Sequence, residues 1–356
     1  MPRFAPETLR QIGYEIFAAT GCSPKDARTV TDHLVESSLF GHDSHGTLRF
    51  YEYIGFIKNG LWNAQGVPEI VQERPCTAVV DAGGAMGQVG GAFATRLAMD
   101  KARQYGTATV TLRNTSHVGR CGAYPLMVAH EGMIGLMFVN AGTLGRQIAP
   151  YGGLDGKLST NPIAFAAPRR NADPIMVDMA TSMTAEGKIR IYHNRGQAVP
   201  AGWLIDSEGE STTDPSDYLD GAGGAILPLG GVSAYKGYCL SFIVEILGGA
   251  LSGEGCAAGE TVMKSNGVLI TVFDIEHFVD IEDYYDEMEG LVSHVQSSRV
   301  DPRFGEILLP GEPEFRSAQQ RGVEGIEVDD TTWSRICDEA ASLGLDPEPW
   351  EEQILS

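Results

Sequence analysis

A net charge of −21 on 356 residues argues against a nucleic-acid partner or an anionic membrane surface, since both need a basic footprint on the protein. With 43% hydrophobic and 21% charged residues, the composition is that of a globular chain long enough for two or three domains. Six cysteines without a C-x-x-C pair fit free thiols in a reducing compartment, and the absence of an apolar signal core or of a run of ~18 apolar residues predicts a cytoplasmic protein with no membrane partner.

The elements open with helices. Pro6 starts a stretch with Leu9, Ile12, Ile16 and Phe17 on one face, stopped by Gly21. Ser23, Pro24 and Asp26 read as an N-cap, a proline in the first helical turn and an acid at the third position, followed by the buried stripe Val30, Leu34, Val35. A third helix is expected from Ser44 to about Asn59-Gly60. Strands are predicted at Thr77–Asp81, Thr107–Leu112, Met133–Val139, Ile163–Ala167, Ile175–Asp178 and about Val268–Phe273, with a helix from about Ala92 to Tyr105. A long apolar helix follows Tyr235-Lys236-Gly237. The segment Glu276–Glu289 reads as a loop leading into a solvated helix, and Thr332-Trp333 begin a final helix. Strands and helices do not alternate strictly, which predicts a mixed or mainly antiparallel sheet with helices packed on it.

The densest chemistry lies in Gly41-His42-Asp43-Ser44-His45-Gly46, with Arg49 and Tyr53 just beyond. On a continuous helix His45, Arg49 and Tyr53 fall at i, i+4 and i+8, on one face. That face would hold a group titrating near neutral pH, a fork for a carboxylate and a phenol. The plain alternative is a capped helix start, for which Asp43, Ser44 and Thr47 suffice.

The glycines after Asp81 (Gly83, Gly84, Gly87, Gly90, Gly91) invite a dinucleotide-binding loop, because a strand precedes them and a helix follows. They do not match the register of G-x-G-x-x-G, and no acid stands at the end of a second strand. A tight turn and close helix packing are the expected role. A second constellation, Asn114-Thr115-Ser116-His117-Val118-Gly119-Arg120, follows the strand ending near Leu112, a common place for a ligand-facing group.

Taken in order, D-S-H-G with Arg49, S-H-V-G, A-P-Y-G-G, T-N-P, D-M-A-T-S, P-x-G-W, Y-K-G-Y and L-P-G-E resemble the type 2 malate/L-lactate dehydrogenase family over nearly the whole chain. The resemblance implies an α+β (mixed α/β), non-Rossmann fold that binds NAD or NADP, with NAD placed ahead, and a homodimer. It suggests a helical domain over 1–75, joined by 315–356, and a cofactor and substrate domain over 76–314. It implies His45 as acid/base with Ser44 and Asp178 in a relay, and His117 as the proton carrier in some relatives. Arg49 matches the substrate-carboxylate arginine and Thr160 a substrate contact, with Tyr53 placed beside them. His117, Val118, Gly119, Arg120 and Cys121 match the segment against the nicotinamide. Asp178, Met179 and Ala180 match cofactor contacts, and Lys236-Gly237 with Leu309-Pro310-Gly311-Glu312 match positions beside the cofactor phosphates and adenosine.

The implied reaction moves a hydride between NAD(P)H and a small 2-oxo or 2-hydroxy acid. Departures from the family pattern at Val118, Arg120, Cys121 and Ser159, together with Arg146, suggest a substrate with an extra acidic or polar arm. Reduction of a cyclic imine carboxylate is the alternative within this chemistry. A metal-dependent hydrolase using His42, Asp43, His45 and His117 is the remote one, and no metal is expected.

Overall fold

The first helices form where proline and a capping hydroxyl place them. The computed structural model describes residues 1–142, 146–219, 221–258 and 266–355. After a short strand β1 (Arg3–Phe4), α1 (Pro6–Ala19) and α2 (Pro24–Leu39) each have proline in the first turn. Ser23 caps α2 by accepting from the Asp26 amide at 3.2 Å, an arrangement that contributes about 1 kcal/mol. A single 3-10 turn, Asp43–His45, precedes α3 (Arg49–Lys58). Leu9, Phe17, Leu34, Phe50, Tyr53 and Trp62 of this region pack with Ile326, Trp333, Ile336 and Trp350 from the far end of the chain.

The middle of the chain builds a seven-stranded sheet. In chain order come β2 (Glu69–Arg74), β3 (Thr77–Asp81), α4 (Gly87–Tyr105), β4 (Thr107–Arg113), α5 (Ala123–His130), β5 (Met133–Asn140), β6 (Ile163–Arg169) and β7 (Ala172–Met179). Then α6 (Glu186–Asn194) and the short strands β8 (Leu204–Ile205), β9 (Ser211–Thr212) and β10 (Ala225–Ile226) form a small three-stranded unit. The helix α7 (Tyr235–Val244) runs into a π-turn, Glu245–Ala250, before β11 (Gly267–Asp274). The order α8 (Ile281–Gln296), α9 (Glu312–Glu324), β12 (Ile326–Glu327), α10 (Asp330–Ser342) and α11 (Glu348–Glu351) completes the chain.

The large sheet runs β2-β3-β4-β11-β5-β6-β7. Among the described residues β3–β4 is its parallel pair, joined through α4, and the other pairings are antiparallel. This is the mixed, mainly antiparallel sheet that the strand pattern predicts. No described helix is long and apolar enough to cross a membrane.

The glycines after Asp81 serve packing. Gly83 and Gly84 turn the chain with φ of +60° and +76°. Helix α4 then starts at Gly87, five residues ahead of the predicted Ala92. A Cβ at Gly87 would lie 2.1 Å from the His117 carbonyl oxygen, and one at Gly91 would lie 2.4 Å from the Tyr124 ring. These glycines bring α4 against the segment that follows β4.

Candidate active site

The helix expected from Ser44 is interrupted. Gly46 takes an extended conformation (φ −99°, ψ −143°) after the 3-10 turn, and the helix restarts only at Arg49. A Cβ at Gly46 would lie 2.0 Å from the Ser38 hydroxyl, so the bend is pressed against α2. His45 therefore does not share a helix face with Arg49 and Tyr53. They are brought together by the bend: the Arg49 Nε donates to the Ser44 carbonyl at 2.7 Å, and its Nη1 pairs with Glu52.

His45 is partly buried. Its Nδ1 lies 2.9 Å from the Ser44 hydroxyl, and its ring stacks on that of His117 with centroids 5.4 Å apart. Burial, reinforced by the charge of Arg49, pulls the His45 pKa down to about 3, so the imidazole is neutral at ordinary pH.

His117 comes from the turn after β4, where Asn114 adopts φ +50°. Its Nδ1 meets the Tyr53 hydroxyl at 2.7 Å. Tyr53 is fully buried, so it supports the histidine from behind and is not exposed as a substrate contact. The following backbone is tied down on both sides. The Val118 amide donates to Asn266 Oδ1 at 2.9 Å, the Arg120 amide to His33 Nε2 at 3.0 Å, and the Tyr124 hydroxyl to the Val118 carbonyl at 2.6 Å. Gly119 (φ +79°) has no room for a Cβ beside His33, and the Cys121 thiol is buried with its pKa pushed well up.

Asp178, near the end of β7, accepts from the Gly122 amide at 2.7 Å. Burial raises its pKa, with His42 the largest opposing influence. Its hydrogen bond goes to the residue just after the His117–Cys121 segment, and among the described residues not to Ser44 or His45. Met179 next to it is exposed, and Ala180 is half-buried. The Thr160 carbonyl accepts from the amide and hydroxyl of Thr181, at 2.9 and 3.1 Å. Beyond it Asn161, fully buried with φ +41°, donates to Glu245 Oε1 of the π-turn at 2.8 Å.

Two arginines bear on the expected acidic arm of the substrate, and one of them departs from that expectation. Arg120 does not reach toward a second anionic group of a substrate. Its side chain is fully buried, with the guanidinium 4.4 Å over the Phe40 ring and 3.3 Å from Glu36. Arg146 is exposed, and its Nε donates to the Ala257 carbonyl at 2.7 Å.

Lys236 is exposed in the first turn of α7. Gly237 beside it is a site of close approach, because a Cβ there would lie 2.3 Å from the Leu229 carbonyl oxygen. The Leu309–Glu312 turn closes on itself: the Leu309 amide donates to Glu312 Oε2 at 2.9 Å and the Pro310 carbonyl accepts from the Met176 amide at 3.1 Å. Gly311 carries φ +90° against Met176. This turn borders a cavity of about 270 Å³ shared with Arg169, Asp173 and Phe315.

The residues of the metal alternative are otherwise engaged. Asp43 pairs with Arg321, and His42 faces Glu314 at 3.7 Å. Among the described residues no group of three or more His, Cys, Asp or Glu side chains is placed to hold a metal ion.

Two residues of this centre escape the sequence reading. His33 lies in the buried stripe of α2 beside Leu34, and burial with the nearby Arg120 takes its pKa down to about 3. Gln88, 1% exposed, stands at the start of α4. A polar side chain flanked by glycines at a helix start was the available signal.

Two histidines, a serine and an arginine from three separate segments thus meet, with the buried Tyr53 phenol behind them. The family model described as malate/L-lactate dehydrogenase matches residues 4–337. The chain belongs to the malate/L-lactate dehydrogenase family. It is similar to malate dehydrogenase of Pyrococcus horikoshii, 37% identical over 88% of each chain. It is also similar to L-sulfolactate dehydrogenase of Methanothermobacter thermautotrophicus, 34% identical over 97% of this chain and 98% of the relative. A malate/lactate dehydrogenase structure from E. coli superposes with a TM-score of 0.92 at 33% identity, covering 99% of this chain and 98% of the other. The protein is accordingly an oxidoreductase acting on small hydroxy acids, and the family brings a nicotinamide cofactor.

Proposed function

We propose that this chain interconverts a small 2-hydroxy acid and its 2-oxo acid with NAD as hydride partner, in the cytoplasm, as a homodimer. The observation that carries the reading is the convergence of the stacked His45 and His117 with Arg49 across Ser44.

A nicotinamide, when bound, supplies or takes up the hydride. The chain's own residues handle the rest. Arg49, tethered through Nε and Nη1, holds a substrate carboxylate in competition with Glu52 and so orients the reacting carbon. His45, neutral because of its lowered pKa, takes up the hydroxyl proton when the acid is oxidised, and the Ser44 hydroxyl keeps its ring in place. Asp178 contributes through the Gly122 amide, fixing the backbone beside Cys121.

The cofactor-facing positions fit such a ligand. Lys236 combines its charge with the N-terminal dipole of α7, a good seat for pyrophosphate, and Gly237 lets the backbone come close. Met179, Ala180 and the Leu309–Glu312 turn are the further positions that the family resemblance assigns to this non-Rossmann site. NAD is favoured over NADP because Arg169, the arginine lining the 270 Å³ cavity, is engaged at both ends by Glu289 (3.1 and 2.8 Å) while Asp173 and Glu312 add negative charge. That balance disfavours an additional phosphate.

The substrates in the names of the malate and sulfolactate relatives carry a second acidic group. With Arg120 buried, an extra anionic arm on the substrate of this chain rests on Arg146. The homodimer is supported by the apolar, exposed face of α7 and its π-turn, where Phe242, Ile243 and Ile246 are each close to half exposed.

The test is oxidation of NADH and NADPH followed in parallel against mono- and dicarboxylic 2-oxo acids and cyclic imine carboxylates. Turnover of an oxo acid, faster with NADH and abolished by His45→Ala, supports the reading. Turnover of imines alone replaces it with the reductase alternative. Failure to bind either cofactor overturns it.

A further inference from the structure

We propose that Gln88 is a positioning residue for His117, acting through Tyr53, and that it holds the neutral imidazole with its hydrogen on Nε2. The inference rests on the reading that His117 belongs to the active centre.

The Gln88 Nε2 lies 3.1 Å from the Tyr53 hydroxyl and 3.3 Å from the His117 carbonyl oxygen. A carbonyl oxygen only accepts, so the atom facing it is the amide nitrogen, and the orientation of the Gln88 amide is settled by chemistry. The nitrogen therefore also donates to Tyr53. Among the described residues the fully buried Tyr53 hydroxyl has, besides this donor, one hydrogen-bond partner, His117 Nδ1 at 2.7 Å, so its single hydrogen goes there. An imidazole that accepts at Nδ1 carries its hydrogen on Nε2. His117 is thus set as a donor from Nε2, the hydrogen that a substrate carbonyl or alkoxide oxygen requires.

Two further features show that this corner of the structure is built around the chain of donors. Among the described residues the buried Gln88 Oε1 has no hydrogen-bond partner. The amide thus meets its surroundings through its N–H, at Tyr53 and at the His117 carbonyl. The neighbouring Gly87 abuts the His117 carbonyl so closely that a Cβ would lie 2.1 Å from it. The glycine-rich start of α4, which resembles a nucleotide loop without being one, instead seats Gln88 under the active-site histidine.

Among the described residues, three elements present groups to His117. The turn before α3 presents His45 to its ring, α3 presents Tyr53, with Arg49 and Glu52 acting on that phenol, and α4 presents Gln88. A donor on Tyr53 strengthens the phenol as a donor to neutral His117 and weakens it as an acceptor from the imidazolium. Removing that donor shifts the balance toward the charged ring.

The experiment measures pH profiles of kcat and kcat/KM for the wild type, Gln88→Leu, Gln88→Glu, Tyr53→Phe, Gln88→Leu/Tyr53→Phe and His117→Ala. Gln88→Leu is expected to lower kcat by roughly tenfold and to move the imidazole limb to higher pH, with the KM for NADH within about twofold, as a purely positioning role requires. Gln88→Glu moves the limb further in the same direction. The double variant matches Tyr53→Phe alone, because Gln88 acts through the phenol. A Gln88→Leu profile that superposes on the wild type while His117→Ala is inactive overturns the proposal, as do additive effects in the double variant. An active His117→Ala overturns the underlying site reading instead. Nitrogen-15 shifts of the His117 ring in the unaltered protein, assigned by comparison with His117→Asn, give an answer independent of folding of the variants. A pyridine-type Nδ1 and pyrrole-type Nε2 agree with the proposal, and a protonated Nδ1 in the neutral ring overturns it.

Discussion

At the scale of single residues the site is a set of charges held by partners. Arg49 is tethered at Nε and Nη1, and a lysine at this position keeps the charge but loses the fork. Arg49→Lys is therefore expected to fold normally and to lose roughly 100-fold in kcat/KM for oxo-acid reduction, about 2.7 kcal/mol of transition-state binding; steady-state kinetics beside a thermal melt measure both. His33 makes a separate prediction about stability. In the fold its pKa is about 3 against an ordinary 6.5, so between those values the unfolded chain binds a proton that the folded chain excludes. The stability associated with neutral His33 is present above pH 6.5 and is lost as pH falls, by up to about 1.4 kcal/mol per pH unit. Urea melts between pH 7 and pH 5 should show this slope, and His33→Gln should flatten it by about one proton. An unchanged slope in the variant would mean that His33 is open to solvent in the native state.

At the scale of elements, glycine separates packing from turning. Gly55 lies within α3 with open space around its Cβ direction, whereas Gly87 opens α4 against the His117 carbonyl. Alanine in a helix gains about 1 kcal/mol over glycine, and forcing an atom into a packed contact costs typically 1–3 kcal/mol. Gly55→Ala is therefore expected to stabilise by about 0.5–1 kcal/mol. Gly87→Ala is expected to destabilise by about 1–2 kcal/mol and to slow turnover by displacing His117, with chemical denaturation and kinetics reading the two effects. The same contrast explains what the sequence could reveal. The strands Thr77–Asp81 and Met133–Asn140 carry alternating or continuous apolar patterns, and their positions were legible. Strand β2 is exposed along its whole length and gives no such pattern. Helix α4 begins among glycines, which local propensity reads as turn because the residues that make them necessary, Ser116, His117 and Tyr124, lie far along the chain. The break at Gly46 has the same origin: the Ser38 hydroxyl that excludes a side chain there belongs to another helix. His45, Arg49 and His117 were legible as chemistry. Gln88 and His33 were not, because their meaning depends on what tertiary packing sets against them.

At the scale of the whole molecule, a chain carrying −21 charges repels its own copies unless an apolar seam outweighs the repulsion. An apolar seam among the described residues is α7 with its π-turn and the approach to it. Val232 is fully exposed, and Tyr235, Phe242, Ile243, Ile246 and Leu251 are all exposed, while only Gly237, Ser241 and Val244 of α7 are buried. A helix that is apolar on the side facing water is half of a contact. Sedimentation equilibrium at micromolar concentration should therefore report a dimer. Ile243→Glu, which puts a carboxylate in the middle of the face, should shift the equilibrium toward monomer by at least about tenfold, while leaving the far-ultraviolet spectrum unchanged. Rising salt screens the charge repulsion and should tighten the wild-type dimer. Because Lys236 and Gly237 sit at the start of this same helix, the dissociated variant should also bind NADH more weakly at low protein concentration and recover binding as concentration rises. A wild-type monomer would overturn the homodimer, and an Ile243→Glu variant as dimeric as the parent would place the partner surface elsewhere and leave the apolar face of α7 to another contact.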